Sequence, residues 1–291
     1  MEDRLITYGG QAVIEGVLMR GRKACAMANR LPDGTIAVTN IPLAGIYQSR
    51  LAKIPFLRGL ILLWDSLGLG LRALTTASNL QGGEEEKLEG PALYLILFLT
   101  FAIVIGVFFL APAGAGWLTE RYLLWNAWWS NLLEGVVRLL FLVGYIWGIG
   151  FMPEIRRVFA YHGAEHKTIN AYEAGADLEP AAVSRYPISH TRCGTAFLLT
   201  LMVLSLIVFS LLGPLPLAWR LASRVLMIPV LAGMAYEYIK WTANHIKSPI
   251  VRALVAPGLA LQRLTTRQPD EKMLEVAIAA FQAMRKAEET T

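Results

Sequence analysis

The sequence predicts a mainly α fold: a polytopic helical membrane protein with about four transmembrane helices and a small cytosolic α+β unit. Three observations carry this. The 291 residues are 55 % hydrophobic and 17 % charged, with mean hydropathy +0.46, where an average soluble domain is about 25 % charged. Residues 92–111 hold no charged side chain, and that length crosses a hydrocarbon core of about 30 Å at 1.5 Å per residue. Polar segments with the marks of soluble structure lie before, between and after the apolar runs.

Residues 1–50 are expected to form a small β-rich cytosolic unit. Two β-prone stretches, Ala24 to Arg30 and Thr35 to Thr39, flank Leu31-Pro32-Asp33-Gly34, where Pro presets φ and Gly supplies a positive one. The start of the chain lacks the basic-then-apolar layout of a cleaved signal peptide. Residues 51–80 predict an amphipathic helix, interfacial or re-entrant, because Arg58, Asp65 and Arg72 recur every seven residues on one stripe. A polar linker follows at 81–87. The membrane region, 90–240, has spans at about 92–111, 132–152, 195–212 and 221–239. Intramembrane charges are expected to pair, Arg138 with Glu134 and Glu237 with Lys240. Residues 153–194 form a cytosolic segment, and 241–291 a cytosolic tail. In that tail Asp270 suits an N-cap ahead of Met273, Leu274, Ala277, Ala280, Phe281 and Met284 at helical spacing.

Lys and Arg total 27 against 22 Asp and Glu. They cluster before the first span, in 153–194 and in the tail. The 114–131 loop has Arg121 alone, and the 213–224 loop has Arg220 and Arg224. Basic loops stay in the cytosol, so both termini are expected there. No basic stripe on a soluble face points to nucleic acid. The expected partners are the lipid bilayer and its anionic headgroups. Two distant cysteines, Cys25 and Cys193, form no disulfide framework.

The chain has four histidines, and two stand in His162-Gly163-Ala164-Glu165-His166, the order of inverted zinc peptidases. From Glu154 to Ala174 there is no proline, Pro153 fits a first turn and Gly175 a C′ position. On that helix His162 and His166 lie about 40° apart with Glu173 between them in projection. Two imidazoles and a carboxylate suit a divalent metal, Zn²⁺ first, with one position open. Glu165 then stands to the side as general base. His190-Thr191-Arg192-Cys193 offers further donors, and a set closed by His190 and Cys193 is structural rather than catalytic. A satisfied polar cluster without metal is the remaining alternative.

Several stretches resemble the YqhQ family of bacterial membrane proteins, a domain of unknown function labelled a predicted metal-dependent enzyme. They are Gly9 to Gly21, Pro55 to Gly59, Tyr161 to Lys167, His190 to Thr195, Ala232 to Glu237 and the tail around Pro257 to Thr266. The sequence departs from the family pattern at Leu18 and Arg22. The resemblance implies a multi-pass protein of the bacterial inner membrane. It also singles out Gln11, Glu15, Arg58, Glu237 and Gln262 as polar groups that could gather around His162 and His166. The expected function is a metal-dependent membrane enzyme, a hydrolase with a cytosol-facing site. The alternative is a non-catalytic transporter or assembly factor whose polar cluster binds a headgroup, an ion or a partner.

Overall fold

A computed structural model describes residues 8–43, 54–82, 90–213 and 215–290. Most of the linker expected at 81–87 lies outside them. Four strands, β1 (Gly9–Val13), β2 (Gly16–Arg20), β3 (Cys25–Arg30) and β4 (Ile36–Ile41), form an antiparallel meander in sequence order. The β3–β4 turn is the expected one. Gly34 has φ +87° and its N–H donates to the Leu31 carbonyl. The β1–β2 hairpin turns on Ile14 and Glu15, with Glu15 itself at φ 50°.

Eleven helices are described: α1 (Leu57–Gln81), α2 (Gly90–Ile105), α3 (Ala111–Tyr122), α4 (Ala127–Ile149), α5 (Pro153–Glu173), α6 (Pro180–Val183), α7 (Gly194–Leu211), α8 (Leu217–Leu226), α9 (Ile228–Asn244), α10 (Pro249–Thr265) and α11 (Glu271–Glu289). A π-helical turn, Gly106–Leu110, joins α2 to α3. Five helices or continuous pairs are long and apolar enough to cross a membrane: Leu57–Gln81, Leu93–Tyr122, Ala127–Ile149, Gly194–Leu211 and Ala218–Asn244.

The sheet is the middle of three layers. One face carries Val17, Met19, Ala26 and Ala28, packed under α5 and α11 through Tyr161, Ala164, Leu274, Ala277, Phe281 and Met284. The other face carries Val13, Leu18, Cys25 and Met27, covered by Leu69, Ala73 and Ala77 of α1. Strands buried on both sides have few polar positions, as β2 and β3 show. Asp270 caps α11 as expected, its Oδ1 accepting from Met273 N at 2.8 Å. Two charges of the α1 stripe are drawn into pairs, while Arg72 is exposed. Asp65 pairs with Arg20 at 2.8 Å, and Arg58 pairs with Glu237 of α9, whose Oε1 also accepts from Phe56 N. Glu237 is thus held by Arg58, not Lys240, because α1 brings a guanidinium against the α9 face.

The apolar helices depart from expectation in two places. The 114–131 loop is mostly helix, since α3 runs on from the π turn. The cause is Pro112. It has no N–H for the Phe108 carbonyl four residues back, and the widened turn frees that carbonyl for Arg138 Nε at 3.0 Å. Second, Arg220 and Arg224 are not loop cations. They lie on α8, turned inward, each 1 % exposed. Arg224 donates to both oxygens of Glu134 (2.8 and 2.7 Å) and to Asn131, while Arg138 takes Glu134 Oε1 at 2.8 Å. Arg220 pairs with Glu120. A helix at 249–265 was not anticipated. Pro257 lies inside α10, and Gly258 lets it close on Ala196 of α7.

Glu134 therefore holds two buried guanidiniums. Glu134→Ala should cost on the order of 3–5 kcal/mol, because it leaves both cations without their acid. In detergent this should appear as a large drop in thermal midpoint, whereas removal of exposed Glu289 should change little.

Candidate metal centre

α5 presents His162 and His166 one turn apart, with ring centroids 4.4 Å apart. Each Nδ1 faces a backbone carbonyl: His162 to Thr265 O at 2.9 Å, His166 to Ile188 O at 2.6 Å. A carbonyl only accepts, so Nδ1 carries the hydrogen in both neutral rings and Nε2 is left with a free lone pair. Cys193, the N-cap of α7, brings its Sγ to 3.3 Å from His162 Nε2. One donor atom from each of His162, His166 and Cys193 lies within 4.8 Å of the others. Donors around a tetrahedral zinc, at about 2.0 Å for N and 2.3 Å for S, stand about 3.5 Å apart. The 3.3 Å contact fits that separation. The chemistry of the three donors, two imidazole nitrogens and a thiol, suits zinc, and the remaining separations lie within 4.8 Å.

Local sequence explains the convergence. A Cβ on Gly163 would stand 2.1 Å from the Arg267 carbonyl. Glycine there lets the 265–267 strand of chain lie on α5, fixed by Arg267 N donating to Phe159 O at 2.9 Å. That contact delivers the Thr265 carbonyl to His162. The loop before Cys193 is pinned to α5 as well. Lys167 Nζ donates to Ser184 O and Tyr186 O, both at 2.6 Å, and Asn170 Nδ2 to Pro187 O and Ser189 O. Gln262 of α10 closes the far side, accepting from His190 N at 3.0 Å and donating to His190 O at 2.7 Å. Thr265, Lys167 and Asn170 escaped sequence reasoning, because a carbonyl orienter or loop anchor has no motif. A lysine and an asparagine one turn apart beside the histidines were the available signal.

The other expected residues lie apart from the three donors. Glu173 shares their face in projection but stands seven residues past His166, about 10 Å along the axis. Its carboxylate pairs with Arg192, and its other oxygen is 3.8 Å from His190 Nε2. Burial pushes Glu173 up, but His190 and Arg192 together hold it below the ordinary range. Burial lowers the buried His190, against the pull of Glu173. The His190 ring centroid is 5.6 Å from that of His166, and its Nε2 lacks a hydrogen-bond partner. Glu165 is buried against β1, where a Cβ on Gly10 would meet its Cδ at 3.0 Å. Burial pushes its carboxyl up to about 7, and Oε2 has no partner.

Of the five polar groups singled out elsewhere, Gln262 alone reaches the histidine loop. Gln11 packs on Gly70 of α1, and Arg58 and Glu237 hold each other at the other end of α1. Glu15 takes Arg157 bidentately at 2.5 and 2.6 Å and accepts from Tyr161 OH at 3.2 Å. Each has a nearer partner than the histidines, so the expected gathering does not form.

The profile of a family described as a protein of unknown function, DUF1385, matches residues 54–287. The chain is 34 % identical over 296 residues to the uncharacterized protein YqhQ of Bacillus subtilis (strain 168), covering 97 % of this chain and 93 % of that one. No solved structure matches.

Arg157 holds the Glu15 carboxyl below its ordinary value of 4.5. The folded value lies below the unfolded one, so the clamp contributes fully above pH 4.5 and fades as pH falls through the folded value. Glu15→Gln should make thermal stability less dependent on pH below 4.5, by melting curves in detergent. An unchanged slope would remove the clamp from the account.

Proposed function

The chain belongs to the DUF1385 family, and we propose that it is an integral membrane protein carrying a zinc centre at the inner rim of the bilayer, used for metal-dependent hydrolysis. The convergence of His162, His166 and Cys193 carries this reading, with both Nδ1 atoms already engaged by carbonyls. Two imidazoles and a thiolate suit Zn²⁺, and three protein donors leave one of four positions for substrate. Bound there, the ion would supply Lewis acidity toward a substrate oxygen. The chain's own residues do the rest. Thr265 and Ile188 fix the rings, Gln262 and Lys167 hold the loop that ends in Cys193, and Glu165, buried against β1 on the same helix, is the candidate proton acceptor.

The membrane reading rests on the apolar helices and their exposed faces. Phe98, Phe101 and Ile103 of α2 are exposed, and such a surface suits lipid. Four spans are counted: α2 with α3, α4, α7, and α8 with α9. α1 is kept at the surface, because Leu69 to Ala77 cover the sheet. The twelve residues from Leu57 to Gly68 reach about 18 Å, short of a bilayer core of about 30 Å. With Arg220 and Arg224 drawn inside, 123–126 and 212–216 hold no Lys or Arg. The basic sheet-bearing side is then cytosolic.

His190 favours a second reading. With its ring beside His166 and its Nε2 without a hydrogen bond, 3.8 Å from a Glu173 oxygen, it could close the set as a structural pin. The chain would then be a non-catalytic transporter or assembly factor.

Metal analysis of the purified full chain separates these. His162→Ala, His166→Ala and Cys193→Ala should each lose the metal that wild type and Glu173→Ala retain. X-ray absorption should give two nitrogens, one sulfur and one oxygen around zinc. Three nitrogens and one sulfur would replace the hydrolase by the structural pin, and metal-free wild type after gentle purification would retire both.

A further inference from the structure

Beside the metal centre, where α5 begins, a groove of about 470 Å³ opens between α5 and the chain leading into α11. Its polar lining is Arg156, Arg157, Arg267 and Gln268, with Pro153 and Met273 as apolar walls, and no acid lines it. Arg157 is neutralised by Glu15 from outside the groove. Asp270, whose charge also reaches Arg157, has its Oδ1 engaged by Met273 N. Arg267 donates Nη1 to the Arg263 and Thr266 carbonyls, which orients its guanidinium without cancelling its charge. Arg156 is exposed, and among the described residues no carboxylate lies within ion-pair distance of it. With Glu15 and Asp270 set against Arg156, Arg157 and Arg267, the groove stays net positive, and Arg156 and Arg267 are the cations without an ion-pair partner among the described residues.

Its place in the chain indicates what fills it. α4 ends in exposed Trp147, and exposed Phe151 and Met152 follow directly before Pro153. Aromatic and apolar side chains give way to arginines within one helical turn, which is the layout of a chain leaving hydrocarbon for headgroups. Guanidiniums with spare donors grip phosphate oxygens bidentately.

We propose that this groove binds the phosphate of an anionic phospholipid headgroup. This rests on the membrane reading but not on the zinc centre. The headgroup would lie about one and a half turns of α5 before His162. Through Arg267, whose main chain packs on Gly163, occupancy would brace the segment that orients the first histidine.

The test uses detergent-purified full chain and fluorescent short-chain phosphatidylglycerol, with phosphatidylcholine of equal chain length as the neutral control. Wild type should prefer phosphatidylglycerol by at least about tenfold, and Arg156→Ala with Arg267→Ala should weaken it about thirtyfold, as two headgroup-facing arginines allow. Arg156→Lys with Arg267→Lys keeps the charge but not the fork and should bind between wild type and the alanine pair, and a thermal midpoint of the alanine pair equal to wild type excludes misfolding as the cause. Equal binding of the two lipids, or full binding by the alanine pair, overturns the proposal. Displacement of the lipid by millimolar inorganic phosphate overturns it too, since the groove would then take free phosphate. Unchanged metal content in both pairs keeps a failure here distinct from a failure of the zinc reading.

Discussion

The contact of the Arg267 carbonyl with Gly163 sets the distance on which the centre depends. A methyl group at position 163 would stand 2.1 Å from that oxygen, inside any allowed contact. Because none is there, the end of α10 lies flat on α5. The Thr265 carbonyl then reaches His162, and Thr265 Oγ1 meets Thr195 Oγ1 of α7 at 3.1 Å. Three helices from distant parts of the chain are thereby registered at one point, where Cys193 and both histidines meet. The sheet matters to this point indirectly. It packs under α5 and α11 and so seats α5 through Tyr161 and Ala164.

The apolar helices solve a different problem with related physics. Pro112 removes one backbone donor, and the Phe108 carbonyl is satisfied by a side chain from α4 instead. That side chain, Arg138, must bring a counter-charge with it into a region without water. Glu134 supplies it on the same helix and is shared with Arg224. Arg224 also lies over the Phe209 ring, 4.3 Å from its centroid, where the ring face adds attraction. One proline thus helps explain why charged residues sit inside an apolar bundle. Their conspicuous positions in the sequence reflect satisfaction of buried groups.

Much of the local structure was legible. The Pro-Asp-Gly turn, the Asp270 cap with its apolar stripe, and the α5 limits at Pro153 and Gly175 all follow from short-range chemistry, which does not need the rest of the chain. The site was legible in part. His162 and His166 were found by spacing and Cys193 by its motif. Glu173 shows the limit of an angular argument: projection down a helix hides the 10 Å of rise that puts its carboxylate beside Arg192. Arg220 and Arg224 show a similar limit. A run of residues between apolar segments looks like a loop until its cations meet acids on other helices.

Composition, charge-free runs and periodicity determined by themselves that this chain is mainly helical, strongly apolar, and equipped with two histidines one turn apart. Those properties are local, set by what each residue does within a few neighbours. Tertiary structure alone decided which third donor meets the histidines, which face of α1 covers the sheet, and which acid holds each buried guanidinium. Such choices depend on distances between segments up to a hundred residues apart. At the histidines a close approach permitted by the missing side chain of Gly163 sets the distance, and no pattern along the chain records it.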